Sequence, residues 1–161
     1  MSEAEFDALK RQERVLTFPA FDEEIAHAVG AALRARASAA KAPVVIDIRT
    51  QNRRYYFSAL AGSTPDNDDW ARRKANVVLR CHESSYLVGK RLAAKDRPQW
   101  PDQALPYEDY ATHGGAFPVR VASAGVIASI AVSGLPSRED HDMIVRTLAD
   151  YLGVTDCPRT P

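Results

Sequence analysis

The chain has 161 residues, 45% hydrophobic and 26% charged, enough apolar material for the core of one globular domain. Lysine plus arginine equals aspartate plus glutamate at 21 each, so no net field recruits nucleic acid or an anionic membrane. No charged leader with an apolar h-region and no bilayer-long run is present, and Cys81 and Cys157 are too few for a disulfide framework. The expectation is one cytoplasmic domain over residues 1–161 with both thiols reduced.

Residues 3–15, "EAEFDALKRQERV", predict a short charged helix carrying Phe6 and Leu9, and Pro19 in "FPAF" ends it and leaves an N-terminal arm. Residues 22–41 predict a second helix. Ile25, Val29 and Leu33 recur at helical spacing there, while Asp22, Glu23 and Glu24 complement its N-terminal dipole. "APVVIDIRT" and "RRYYFSAL", joined by Gln51 and Asn52, predict an antiparallel hairpin. Asp47 interrupts its first strand; alternation puts it on a face with Val45 and Arg49, with Arg54 across the turn as a suitable partner.

The longest helical pattern covers residues 68–94, with Trp70, Val77, Cys81, Ser85, Val88 and Leu92 on one stripe. A connection punctuated by Pro98, Pro101 and Pro106 follows; a loop of that length inside a domain is functional or a contact arm. "AFPVRVA" and "GVIASIAVSG" predict a second hairpin, with Pro118 pushing its strand to a sheet edge or a bulge. In the latter strand Ile127, Ser129, Ala131 and Ser133 share one face, and Val126, Ala128, Ile130 and Val132 the other. "SREDHDMIVRTLADYLG" predicts a closing helix with a Ser137–Asp140 capping box, stopped by Gly153 and followed by a frayed tail. Connections within the hairpins are too short for crossovers, so the fold class is α/β of the α+β kind: an antiparallel sheet of two hairpins packed with helices.

"GGAFPVRVASAGVIASIAVSGLPSREDHDMIVRTLADYL" resembles the C-terminal half of the GlcG/HbpS-type haem-degrading-domain family. "DWARRKANVVLRCHESSYLVGKRL" followed by "YATHGGAFP" is similar to its branch of uncharacterised proteins, and the resemblance spans residues 16–153. It implies a profilin-like or roadblock-like sandwich, a homo-oligomer, and relatives among which some bind haem or another tetrapyrrole. It does not fix an activity.

His113 is the first residue to weigh. Its imidazole can ligate a metal or exchange a proton near neutral pH, and Gly114 and Gly115 allow a ligand close to the backbone. The alternative is a histidine bonded to loop backbone beside a tight turn. Lys74 lies near the apolar stripe of its helix and, with Arg73 and Asn76, suits a carboxylate, a phosphate or a tetrapyrrole propionate. Its alternative is a snorkelling stem or an ion pair across a subunit interface. His82, Ser84 and Ser85 lack the geometry of a nucleophile and base, and Cys81–His82 lacks the second cysteine of a haem-attachment motif. His141 reads as a half-buried or interface histidine and His27 as an exposed one; Ser133 and Gly134 enter a helix whose free amides suit an anion. No metal-ligand set is complete, which leaves the metal unknown. Two readings follow: a homo-oligomer larger than a dimer that binds a small anionic ligand, with haem the cofactor implied, or a non-enzymatic assembly protein. An enzyme ranks third, for want of any nucleophile or redox constellation.

Overall fold

The computed structural model describes residues 1–161, and its first two helices begin where a side chain caps them. Helix α1 (Glu3–Val15) starts from a reciprocal box in which Ser2 Oγ accepts from the Glu5 N–H and the Glu5 carboxylate accepts from the Ser2 N–H. Helix α2 (Glu23–Ala39) starts at Asp22, whose carboxylate accepts from the Ile25 N–H at 2.9 Å. Between them, Thr17–Phe18 forms strand β1.

Strands β2 (Val45–Arg49) and β3 (Arg54–Ala59) are the first hairpin, and β4 (Ala116–Val121) and β5 (Gly125–Ser133) the second. One five-stranded sheet results, in the order β1-β4-β5-β2-β3. All neighbours are antiparallel except β1, which runs parallel to β4. The mixed α/β architecture with helices on an antiparallel sheet is the one expected. The hairpins join through β5 and β2, from Val45 opposite Ser133 to Arg49 opposite Ser129. Asp47 is fully buried and paired with Arg49 and with Arg54, the latter at 3.0 Å, as the hairpin register required.

The two faces of the sheet differ in side-chain size. Ile46, Ile48, Phe117, Val119, Ile130 and Val132 meet α2 and α5 (Ser137–Leu152) in the main core. On the opposite face Val45, Ala116 and Ala131 meet Ala71, Ala75 and Val78 of α3 (Pro65–Cys81). Small residues on both sides let α3 lie close to the strands, which matters for the lysine it carries.

Five expectations need correction. The 68–94 pattern is two helices, because α3 ends at His82 in the left-handed region (φ 57°) and α4 (Ser85–Ala94) restarts from Ser84, whose Oγ accepts from the Leu87 N–H. The apolar stripe continues across this break: Val77 of α3 packs with Val88 and Leu92 of α4. The "FPAF" arm is built into the sheet, with Phe18 1% exposed and edge-on to Phe21 at 5.1 Å. The tail is fastened: Gln12 donates to the Pro158 carbonyl and Thr160 Oγ1, and Arg11 pairs with Asp156. Val126 packs on the α3 side, because the register shifts between Val119 and Arg120 and passes over Ile127, which flips the strand by one residue. Finally, α5 has Pro136 as its N-cap and no side-chain cap, since Ser137 and Asp140 are used elsewhere.

Candidate functional site

Asp140 is used at the turn from β5 into α5. Its carboxylate accepts from the backbone N–H of Leu135 at 3.0 Å and of Gly134 at 3.4 Å, and from Lys74 Nζ at 2.9 Å. Lys74 comes from α3 across the small-residue face and is 4% exposed; it also donates to the Val132 carbonyl at 3.3 Å. Its acidic partner is in this chain, not across a subunit interface. Burial lowers the Lys74 pKa from the usual lysine value, against the pull of Asp140. Burial likewise raises the Asp140 carboxyl, opposed by Lys74 and the two backbone donors.

The glycine pair lies over this ion pair. Gly115 has φ +117°, and a Cβ there would stand 2.4 Å from the Val132 oxygen and 2.8 Å from Lys74 Nζ. Gly114 donates its N–H to Ser137 Oγ, and its Cβ would meet the Ser137 carbonyl at 2.2 Å. Both glycines therefore admit close contact with the chain itself, where the sequence suggested room for a ligand.

His113, one residue earlier, is left at the surface of a cleft of about 260 Å³. Lys74 and Asp140 line it together with Trp70, Ser133 and Ser137; Asn67, Gly134 and Leu135 complete it. The His113 and Trp70 rings meet edge to face, 5.3 Å between centroids at 87°. Partial burial and the charges of Lys74 and Arg73 lower the His113 pKa below the ordinary histidine value, which keeps the imidazole neutral at pH 7. The only histidine ring engaged in a protein hydrogen bond is that of His141, so the loop-backbone bond considered for His113 is not made.

Arg73 and Asn76 do not line the cleft. Arg73 stacks on Trp70 at 4.2 Å, bonds Asp69 at 2.8 Å and reaches the Tyr107 carbonyl at 3.2 Å. Asn76 donates to the Asp109 carbonyl at 2.9 Å. These two residues fasten the proline-punctuated loop to α3, leaving Trp100 and Tyr107 48% and 56% exposed. His27 is exposed against Tyr56, and His82 caps α3. His141 is fully buried between Tyr86 and Phe117, with Nε2 2.9 Å from Gln12 Oε1 and Nδ1 without a partner.

Sequence reasoning missed the cleft roles of Asp140, Ser137 and Trp70. Asp140 and Ser137 carried a helix-start signal that fully accounted for them, and Trp70 sat on an apolar stripe that did the same.

Residues 21–149 match the family model described as haem degrading protein HbpS-like. The chain belongs to that family. A UPF0303 protein of Mesorhizobium japonicum is 47% identical to this HbpS-like chain over 146 residues, 91% of this chain and 87% of that protein. The crystal structure of Ybr137w protein superposes with a TM-score of 0.86 at 27% identity, over 94% of this chain and 90% of that one. A PduOC:heme complex superposes with a TM-score of 0.69 at 16% identity, over 81% and 94%, a likeness of fold alone. No helix of this HbpS-like chain is long and apolar enough to cross a membrane.

Proposed function

We propose that the protein binds a planar anionic ligand of the tetrapyrrole class at the His113 cleft, and does so as a homo-oligomer larger than a dimer. One observation carries this reading: an imidazole held neutral, free of any protein hydrogen bond, beside an aromatic ring and above a buried lysine. A neutral ring nitrogen suits a metal centre. The Trp70 indole suits the edge of a flat ring, and the Lys74 N–H not given to Asp140 or to the Val132 carbonyl is left to donate to a ligand oxygen. Membership of the HbpS-like haem-degrading family and the haem held by the PduOC structure support the ligand class.

The cleft's size bears on assembly. At about 260 Å³ it falls below the roughly 300–1,000 Å³ of ordinary ligand pockets and takes one edge of a tetrapyrrole. A second copy of the chain closes the remainder, and the exposed Trp100 and Tyr107 on the fastened loop suit such a contact. The same two aromatics favour the other reading, an assembly protein with no ligand.

Haem titration followed by absorption, with subunit mass measured by light scattering on the same sample, separates the two. Binding predicts a Soret shift that His113→Ala weakens by at least about tenfold while mass and folding stay unchanged. A saturating oligomer with no Soret change in either protein leaves only assembly. A monomer mass across micromolar concentrations removes the oligomer.

A further inference from the structure

The two edges of the sheet differ. Strand β1 is two residues long, whereas β3 runs for six and contains no proline, lysine or acid, the residues that usually keep an edge from pairing. Its one charge, Arg54, stands at its start and is turned to the buried Asp47. The irregularity between Ile48 and Arg49 is confined to that end, and residues 56–59 keep an unbroken register with β2.

The outer rim of this stretch is unclaimed. Leu60 donates its N–H to the Val44 carbonyl at 3.0 Å, so by alternation the N–H and C=O groups of Phe57 and Ala59 point away from β2. No turn or loop bond of the chain takes them up. The α3 face is open here as well. Val45, Ala116 and Ala131 of the other strands meet α3 and no residue of β3 joins them, which leaves Phe57 37% exposed with Arg54 resting on its ring at 4.7 Å.

On the opposite face α2 follows β3 along its length. Tyr56 lies against Gly30 and His27, while Arg34 and Lys41 border a depression of about 450 Å³ together with Ala59, Leu60 and Ala61. Unlike Arg36 and Arg53, which pair with Asp150 and Glu23, Arg34 and Lys41 pair with no carboxylate of their own chain. The first turn of the same helix is acidic, and its Glu24 is exposed.

We propose that β3 pairs antiparallel with β3 of a second copy about a two-fold axis at Ser58, joining two five-stranded sheets into one of ten strands. This register uses only the regular stretch and complements itself. Phe57 comes opposite Ala59, large against small on the open α3 face, and Tyr56 comes opposite Leu60 on the α2 face. The free groups of Phe57 and Ala59 then bond each other across the seam. The two α2 helices flank the seam head to tail, which sets Glu24 of one toward Arg34 and Lys41 of the other. Tyr55 of the second copy comes opposite Ala61, at the depression those two cations border. The proposal deepens the oligomer reading above by supplying one of its interfaces and takes nothing from the ligand.

The test measures subunit mass by light scattering and cross-linking on the full chain. Ala59→Pro removes an outward donor that β2 does not use, so the fold should hold while the mass falls by half, with circular dichroism unchanged. Ser58→Cys reads the register. Opposed residues at such a non-bonded position lie about 4.5 Å apart between Cα atoms, within the roughly 4.4–6.8 Å that a disulfide spans. Mild oxidation should therefore convert the variant to a covalent dimer, while the wild type, whose Cys81 and Cys157 are half-buried, gives none. Should Ala59→Pro fail to fold, the Ser58→Cys result decides alone. An oligomer that keeps its mass in Ala59→Pro and forms no Ser58→Cys dimer overturns the seam and leaves the oligomer reading standing. A wild-type monomer across micromolar concentrations overturns both, and the edge then awaits a strand from another protein.

Discussion

Lys74 is conspicuous in the sequence because a lysine near an apolar stripe is out of place, yet nothing local names Asp140, 66 residues away, as its partner. Pairing a buried charge takes the tertiary fold. Removing one member leaves the other buried and uncompensated, so Lys74→Met or Asp140→Asn is expected to lower stability by about 3–5 kcal/mol, read from urea midpoints. The double variant Lys74→Met/Asp140→Asn should lose less than the two singles added together, since neither charge is then stranded. His141 makes a pH prediction. Burial takes its pKa from the ordinary 6.5 to about 3. As pH falls below 6.5 the unfolded chain takes up a proton that the native protein refuses. The native state therefore loses stability toward pH 3, by up to about 1.4 kcal/mol per pH unit. His141→Gln, which titrates in neither state, should show a shallower decline than the wild type between pH 6.5 and 4.

At the scale of the element, periodicity fails where one apolar stripe crosses two helices. Val77, Val88 and Leu92 meet in one cluster although His82 breaks the chain between them, so the burial pattern contains no trace of the break. The signal lies in capping chemistry, at Ser84, and in a second support that no pattern shows: Glu13 of α1 accepts from the Ser84 N–H at 2.8 Å. Ser84→Ala should destabilise by about 1 kcal/mol, and His82→Gly should stabilise by a fraction of that, since glycine enters the left-handed region without strain. Denaturant midpoints that move together in the same direction would refute this account of the break. The hairpins were legible because their turns are short and their strands alternate cleanly. Strand β1 was not, because two residues have no period to read, and it appears as a strand only once Arg120 and Val121 lie beside it.

For the whole molecule, the first two helices, the closing helix and the antiparallel hairpins follow from the sequence, whereas the split of the 68–94 pattern and the order of the strands do not. What joins the hairpins is β5 against β2, a pairing between segments far apart in the chain. The cleft inherits this: His113 and Gly115 were readable as unusual residues, but the site exists only where the β5–α5 turn, the glycine loop and α3 converge. The parallel partnership of β1 with β4 has a consequence for how the molecule comes together in time. Val121 and Gly125 close their turn almost at once, while Thr17 must find Arg120 across most of the chain, a closure disfavoured by roughly 3 kcal/mol more entropy. The β4–β5 ribbon is thus expected to gain protection early in a pulse-labelled refolding experiment. The amides that bind β1 to the sheet should follow in a later phase, together with those of α1. Simultaneous protection of Ala122, whose N–H bonds the Phe18 carbonyl, and of the β5 amides would show instead that the amino-terminal strand belongs to the nucleus.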